Sequence, residues 1–528
     1  MTGTAGTRAA PPTRTALRGG TLVDADGSRP GDLLLEGDRV VDGDPAGAGT
    51  VVDCTGRLVL PGLVDAHSHA DAAVFEPEVA LALLRQGVTT VVAGQDGVSF
   101  APGDGAFASR YFAALNGRHP TYRGPGVAAL LAAYDGTTPV NLGYLVPAGT
   151  VREQVRGLRP GPATPDEVAA MQDLVAAGLA DGALGLSTGL DYVPGLFAGT
   201  DEITALCRPL AAVDALYVTH MRGGYEDNAA AGLDEVVAIC RAAGVRGHVS
   251  HLHARSALVR TLVDRARAQV DLTFDSYPYS RGSSLLSMLL LPPELLQAGV
   301  AACTAALADP AVRADVLASW VPVLAARADM GPRWADQVRY AHVAAPGYAW
   351  LPGLSLAEAA ERAGTSAAEL GLRVLAAADL EVGVVMQTPV ERGDAELALA
   401  FTHPAHVGGS DGIYRGAVPH PRGHGTFALY LQVFVAERGD LSWADAVRHH
   451  STSPAQRFGL AGRGSLRPGS AADVVLLDPA TLRSRATYAD PRALAEGVDD
   501  VWVNGARVLQ DGALTGVTSG RGLRRGVG

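Results

Sequence analysis

The chain has 528 residues, 48% hydrophobic and 19% charged, an ordinary globular balance that excludes wholesale disorder and leaves room for more than one domain. A net charge of −12 without a dense basic patch speaks against a nucleic-acid binder. All 43 basic residues are arginines, which excludes a carboxylated lysine, a lysine Schiff base and a phosphate-binding P-loop lysine.

Residues 1–16 are polar, with Pro11 and Pro12 and no apolar signal-peptide core, so a disordered leader on a cytoplasmic protein is expected. No apolar run is long enough to span a membrane. The four cysteines (Cys54, Cys207, Cys240 and Cys303) are scattered, against a disulfide scaffold or a cysteine zinc site. From residue 17 the chain reads as short strands bounded by Gly, Asp and Pro: LRGGTLVDADG, DLLLEGDRVV and TVVDCTGRLVLPG. ADVVLL (472–477) and VWVNGARVL (501–509) have the same style, the latter turning on Asn504-Gly505. The two ends, 17–61 and 463–515, are expected to build one small β-sandwich, with the middle inserted into it. The last arginines, Arg521, Arg524 and Arg525, read as a solvated tail.

Between 62 and 462 short apolar strands alternate with Ala/Leu-rich helices, the pattern of parallel βα units. The strands fall at 62–69, 87–96, 140–146, 182–188, 215–220, 246–251, 270–275 and 405–411, which predicts an α/β fold of the (β/α)8 TIM-like barrel type. The surplus lies between strands seven and eight, where a helical insertion near 286–350 is expected to cover the barrel mouth. VGVVMQ (382–387) in that region also competes for a barrel place.

Barrel enzymes build their sites at the C-terminal strand ends. Here those ends carry His67 and His69, Asp96, His220, His251 and Asp411. Residues two apart on a strand share a face, so His67 and His69 can hold one cation together. Imidazole and carboxylate donors suit zinc and other divalent first-row metals. Each residue alone has a plainer explanation, and Asp96 and Asp411 sit in turn-forming Gly/Asp sequences. Their joint arrival on one rim points to a metal site. Of the remaining histidines, His248 should pack in the barrel wall, opposite to His251, whereas His253 can reach the substrate. His403 and His406 read as structural and His449-His450 as surface or packing, while His119 and His342 carry no signal.

These residues sit in motifs that resemble the amidohydrolase superfamily, specifically the N-acyl-D-amino-acid deacylase (D-aminoacylase) family. They are LPGLVDAHSHAD (60–71), GALGLSTGLDYVPG (182–195), VTHMRGG (218–224), VSHLH (249–253), FDSYPYSRGSS (274–284), GGSDG (408–412), HPRGHGTF (420–427) and RGSLRPGSAADVVLLDP (463–479). The resemblance implies hydrolysis of an amide by a metal-activated water, with one or two divalent ions, zinc above all. It implies His67, His69 and Asp411 at one metal position and His220 and His251 at the other, with Asp411 as general base and then acid. Where the family usually has a cysteine between the two positions this chain has Asp96, the candidate bridging carboxylate. Arg422 and Tyr192 match positions that hold the substrate carboxylate, and Tyr279 or Tyr277, Ser283 and His420 are further candidates for substrate binding. Two more departures concern substrate: His253 replaces a usual lysine, and LVPAG (145–149) lacks a usual histidine. The expected partner is a small-molecule amide, with a homo-oligomer left open. A cyclic-amide hydrolase or deaminase on the same scaffold, and a catalytically degenerate amidohydrolase acting as a binding protein, are the competing readings.

Overall fold

The structure is a computed structural model and describes residues 14–327, 330–387 and 391–527. Most of the expected leader therefore lies outside the described residues. Its last part does not behave as a leader, because strand pairing starts with Arg14–Asp24.

Arg14–Asp24 turns back into Gly27–Glu36 as an antiparallel hairpin. A bulge between Leu17 and Gly20 bends the long strand. Its other edge then takes two parallel partners in succession, Thr50–Asp53 and Leu58–Pro61. Leu58–Pro61 pairs antiparallel with Val474–Leu477, and that strand brings in Val498–Val503 and Ala506–Gln510. The two ends of the chain thus share one nine-stranded sheet. The sheet curls until Val40 meets Ser470, with an N to O distance of 2.9 Å. Leu17, Leu33, Val59, Val474 and Trp502 fill the inside of the curl. The C-terminal tip is not a solvated tail. Gly522–Leu523 pairs with a barrel strand, Arg521 pairs with Asp38 at 2.8 Å and Arg524 lies 3.6 Å from Asp135.

The second sheet holds eight parallel strands in sequence order: Leu63–Asp65, Val88–Ala93, Asn141–Pro147, Gly185–Gly189, Leu216–His220, Arg246–Val249, Leu272–Ser276 and His406–Gly408. Strand one closes on strand eight through Ala66 N to Gly408 O (3.0 Å), Asp411 N to His67 O (2.8 Å) and His69 N to Gly412 O (3.0 Å). Closure leaves no free edge. It also draws His67, His69 and Asp411 together by main-chain bonds.

The segment between strands seven and eight is not only helical. Arg281–Leu285, Val338–Val343 and Val382–Gln387 form a three-stranded antiparallel sheet, the last strand central. VGVVMQ is therefore no barrel strand, and the insertion is wider than 286–350. Its sheet buries Leu285, Tyr340 and Val384 against helices such as Ala367–Ala377, so pairing joins segments some hundred residues apart.

Candidate metal centre

Strand-end geometry brings six of the expected side chains into one buried cluster. His67, His69, Asp96 and Asp411 form one set of donors, and Asp96, His220 and His251 another, with Asp96 common to both. His67 Nε2 stands 3.6 Å from Asp96 Oδ1 and 3.6 Å from Asp411 Oδ1. His69 Nε2 stands 3.5 Å from Asp96 Oδ2 and 3.4 Å from Asp411 Oδ1. His251 Nε2 is 3.6 Å from Asp96 Oδ1, and His220 Nδ1 is 3.8 Å from Asp96 Oδ2 and 3.1 Å from His251 Nε2. Separations of 3.4–3.6 Å are long for hydrogen bonds. They match the edge of a zinc tetrahedron, roughly 3.3–3.6 Å for ligand distances of about 2.0–2.2 Å. His67 Nε2 and Asp96 Oδ1, both buried, have no hydrogen-bond partner, the signature of donors kept for a cation. The donor set fits a divalent metal.

Backbone conformation aims these groups. Asp96 (φ 54°), His251 (φ 34°) and Asp411 (φ 49°) all occupy the left-handed region, which side-chain-bearing residues rarely adopt. Gly189 makes room for the Asp96 turn, since a Cβ there would fall 2.0 Å from the Asp96 carbonyl oxygen.

Neighbours orient the rings. His69 Nδ1 meets Asn116 Oδ1 at 2.7 Å, a pairing that puts the proton on Nδ1 and leaves Nε2 as the donor atom. Asp191 Oδ2 lies 3.1 Å from His220 Nε2, which puts that ring's proton on Nε2 and leaves Nδ1 as the donor atom. Asp275 Oδ2 lies 3.5 Å from His67 Nδ1. The electrostatics follow from this packing. Burial opposes protonation of His69, yet the facing carboxylates of Asp411 and Asp96 push it up to about 10. Burial would raise Asp96, but His251, His67 and His69 hold its carboxyl well below the usual carboxylate range. Asp411, which burial alone would raise, is held at about 2 by Arg422 and the histidines.

A cavity opens on this cluster, lined by His69, Asp96, Tyr192, His220, His251, His253, Tyr277, Ser283, Asp411 and Arg422. Tyr192 Oη bonds Ser284 Oγ at 3.0 Å. Ser283 Oγ donates to the Val384 carbonyl at 2.8 Å. His253 stacks on Tyr225 with ring centroids 5.3 Å apart, and burial lowers it to about 3. Arg422 Nη1 lies 2.8 Å from Asp411 Oδ2 as an ion pair, and its guanidinium lies 4.7 Å from the Tyr277 ring centre.

Two expected substrate residues are elsewhere. Tyr279 and His420 do not line the cavity; they pack against each other behind its wall, ring centroids 5.2 Å apart, with Tyr488 beside them. Strand seven stops at Ser276, and Tyr279 N then bonds Tyr277 O at 2.9 Å. That tight turn breaks the two-residue alternation, so Tyr277 faces the cavity and Tyr279 does not. His420 is tied instead to the Arg281 carbonyl at 3.0 Å.

Asn116, Asp191, Tyr225 and Asp275 escaped the sequence reading. Asp275 is the penultimate residue of strand seven and the strand-end rule alone points to it. Asn116 lies in a short helix between strands two and three, with no local signal. Met288, Met330 and Met386 come from the insertion and, with Leu115, give the cavity an apolar wall.

Residues 50–509 match the amidohydrolase family. The chain is 34% identical to a D-aminoacylase of Alcaligenes xylosoxydans xylosoxydans, over 96% of this chain and 97% of that protein. It is 31% identical to an N-acyl-D-glutamate deacylase of the same organism, over 96% of each. The fold superposes on an N-acyl-D-glutamate deacylase from Bordetella bronchiseptica, complexed with zinc and a phosphonate inhibitor, with a TM-score of 0.80 and 30% identity over 98% of this chain and 100% of that one. A D-aminoacylase with a binuclear metal centre gives a TM-score of 0.79 at 29% identity, over 97% and 99% of the two chains.

Proposed function

The chain belongs to the amidohydrolase family, and on that premise we propose that it is a metal-dependent deacylase of N-acyl-D-amino acids. His67, His69, Asp96, His220, His251 and Asp411 would hold one or two divalent cations, zinc first, with Asp96 shared between the two donor sets. The observation that carries the reading is the spacing of those donors on five strand ends. When bound, the cation supplies Lewis acidity: it acidifies a water and polarises the scissile carbonyl.

The chain's own residues do the rest. Asp411 takes one proton from the attacking water while the oxygen adds to the carbonyl carbon, and returns that proton to the amine nitrogen as the C–N bond breaks. Arg422 keeps Asp411 ionised and aimed, through the 2.8 Å pair. Tyr192, Ser283, His253 and Arg422 are the substrate-binding groups in this reading. The wall of Leu115, Met288, Met330 and Met386 fits an apolar amino-acid side chain, because methionine packs adaptably against irregular apolar shapes.

No helix among the described residues is long and apolar enough to cross a membrane. Four free, buried cysteines suit a reducing compartment, and we place the enzyme in the cytoplasm.

The test is metal content together with hydrolysis of N-acetyl-D-methionine, its L enantiomer and N-acetyl-D-glutamate, with and without chelator. Chelator-sensitive cleavage of the D-methionine substrate is expected. A protein that takes up no metal and cleaves none of the three overturns the reading.

A further inference from the structure

Asp275 is a wholly buried carboxylate that the mechanism above does not use. It stands at the end of strand seven and reaches both donor sets. Its Oδ1 accepts the His251 main-chain N–H at 2.9 Å, and its carbonyl accepts that of Leu252 at 2.8 Å. Its Oδ2 lies 2.9 Å from His248 Nε2 and 3.5 Å from His67 Nδ1. The two carboxylate oxygens therefore serve one histidine from each half of the cluster, by different means. His67 is approached through its ring at ion-pair distance, its Nδ1 making no hydrogen bond, and its Nε2 faces Asp96 and Asp411. His251 is held through its backbone, at a φ of 34° that its side chain disfavours.

The surroundings are built for this carboxylate. His248 Nδ1 lies 2.8 Å from Thr273 Oγ1 and accepts from that hydroxyl, which places the proton on Nε2, the nitrogen facing Asp275. His248 is fully buried, so its donation goes to Asp275 and not to water. At Gly409 a Cβ would fall 2.7 Å from Asp275 Oδ1, so strand eight closes over the carboxylate only because that position has no side chain.

We propose that Asp275 is a positioning residue that couples the two halves of the metal cluster, with His248 behind it fixing which ring nitrogen of His67 is free for the cation. The inference rests on the metal-site reading above. Carboxylate support of a metal-bound histidine typically changes metal affinity by about 10–100-fold. A carboxamide cannot accept at both ends, so in Asp275→Asn its NH2 group meets a donor N–H on one side. Zinc affinity should then fall by about 10–100-fold, and in both halves if two ions bind. His248→Phe removes only the hydrogen bond behind Asp275 and should weaken zinc by less.

The experiment is zinc titration of the metal-stripped full chain against a chromophoric chelator, with cobalt(II) absorption as a second readout. The expected result is weaker zinc in both variants and a shifted cobalt spectrum in Asp275→Asn. If the wild-type chain takes up no zinc, the metal-site reading itself falls and this inference with it. If the wild type binds tightly and Asp275→Asn matches it, or loses thermal stability alone with an unchanged cobalt spectrum, the coupling role is overturned while the metal site stands. Should Asp275→Asn not fold, His248→Phe decides, and wild-type zinc affinity there overturns the proposal.

Discussion

Asp411 Oδ2 and Arg422 Nη1 form a 2.8 Å ion pair in which Arg422 is fully buried. The pair fixes the carboxylate on the side away from the donor cluster and leaves Oδ1 facing His67 and His69. Asp411→Asn keeps the shape and removes the proton acceptor. Its kcat/KM for N-acetyl-D-methionine should drop by about 10²–10⁴, the usual contribution of a positioned general base. Arg422→Met should act differently, because it strands Asp411 beside an apolar chain. Breaking a buried pair from one side costs about 3–5 kcal/mol, so the melting temperature should fall as well as the activity. Thermal unfolding and steady-state kinetics on the two variants separate these outcomes.

Zinc uptake should release protons. His69 is pushed up to about 10 by Asp411 and Asp96, against its own burial, so below that pH the metal-free ring carries a proton. A cation needs the neutral ring, and binding must displace that proton. Apparent affinity should therefore rise as pH rises from 6 to 8, by about tenfold per pH unit for each proton released. Calorimetry in two buffers of different ionisation enthalpy counts the protons directly. Equal heats in the two buffers would contradict the electrostatics of the cluster.

The barrel was legible because its strands are short, apolar and separated by helices, and because five of the eight strand ends carried the polar residues. His67, His69, Asp96, His220, His251 and Asp411 all lie where strand ends converge, and the structure brings them within 4.8 Å of one another in their two sets. The hairpin on Asn504-Gly505 was equally local. What failed depended on contacts distant in sequence. Val382–Gln387 looks like a barrel strand until it pairs with Arg281–Leu285 about a hundred residues earlier. Tyr279 and Tyr277 both stood as candidates from the motif, and the backbone turn between them brings only Tyr277 to the cavity. Asn116 and Asp191 support histidines across loops, and no periodicity records such a contact.

His119 gave no signal in the sequence, yet it links the loop after strand two to the barrel. Its Nδ1 accepts from Tyr122 N at 2.9 Å, and its Nε2 lies 3.1 Å from Tyr134 Oη, which itself bonds Asp71 O at 2.7 Å. Burial, with Arg123 adding to it, lowers His119 to about 4. The unfolded ring titrates near its ordinary value of 6.5. Between those values the unfolded chain binds the proton and the folded chain does not, so stability declines as pH falls from about 6.5 through about 4. His119→Gln keeps a polar side chain without a titrating group and should flatten that part of the acid limb. Unfolding midpoints at pH 7, 6 and 5 for both proteins check it: the wild type should lose more between pH 7 and 5 than the variant.

Relatives of this chain include deacylases for both N-acyl-D-aspartate and N-acyl-D-glutamate, so side-chain preference is the sharpest question about the cavity. A second substrate carboxylate needs a cation once it is out of water. Two arginines line the cavity: Arg422, which holds Asp411, and Arg327, which lies near enough to help lower Asp191. The apolar part of the lining is Leu115, Met288, Met330 and Met386. A glutamate side chain placed there loses its hydration without a matched partner, a penalty of about 1–3 kcal/mol or more. N-acetyl-D-methionine should therefore exceed N-acetyl-D-glutamate in kcat/KM by about tenfold or more. Met386 sits on the central strand of the insertion sheet and borders the cavity, so Met386→Arg places a guanidinium on the apolar face. That variant should raise activity on the glutamate substrate and lower it on the methionine one, narrowing the ratio from both sides. A ratio near one in the wild-type enzyme, or a Met386→Arg variant that leaves the ratio unchanged, would remove the methionine wall from the account of specificity.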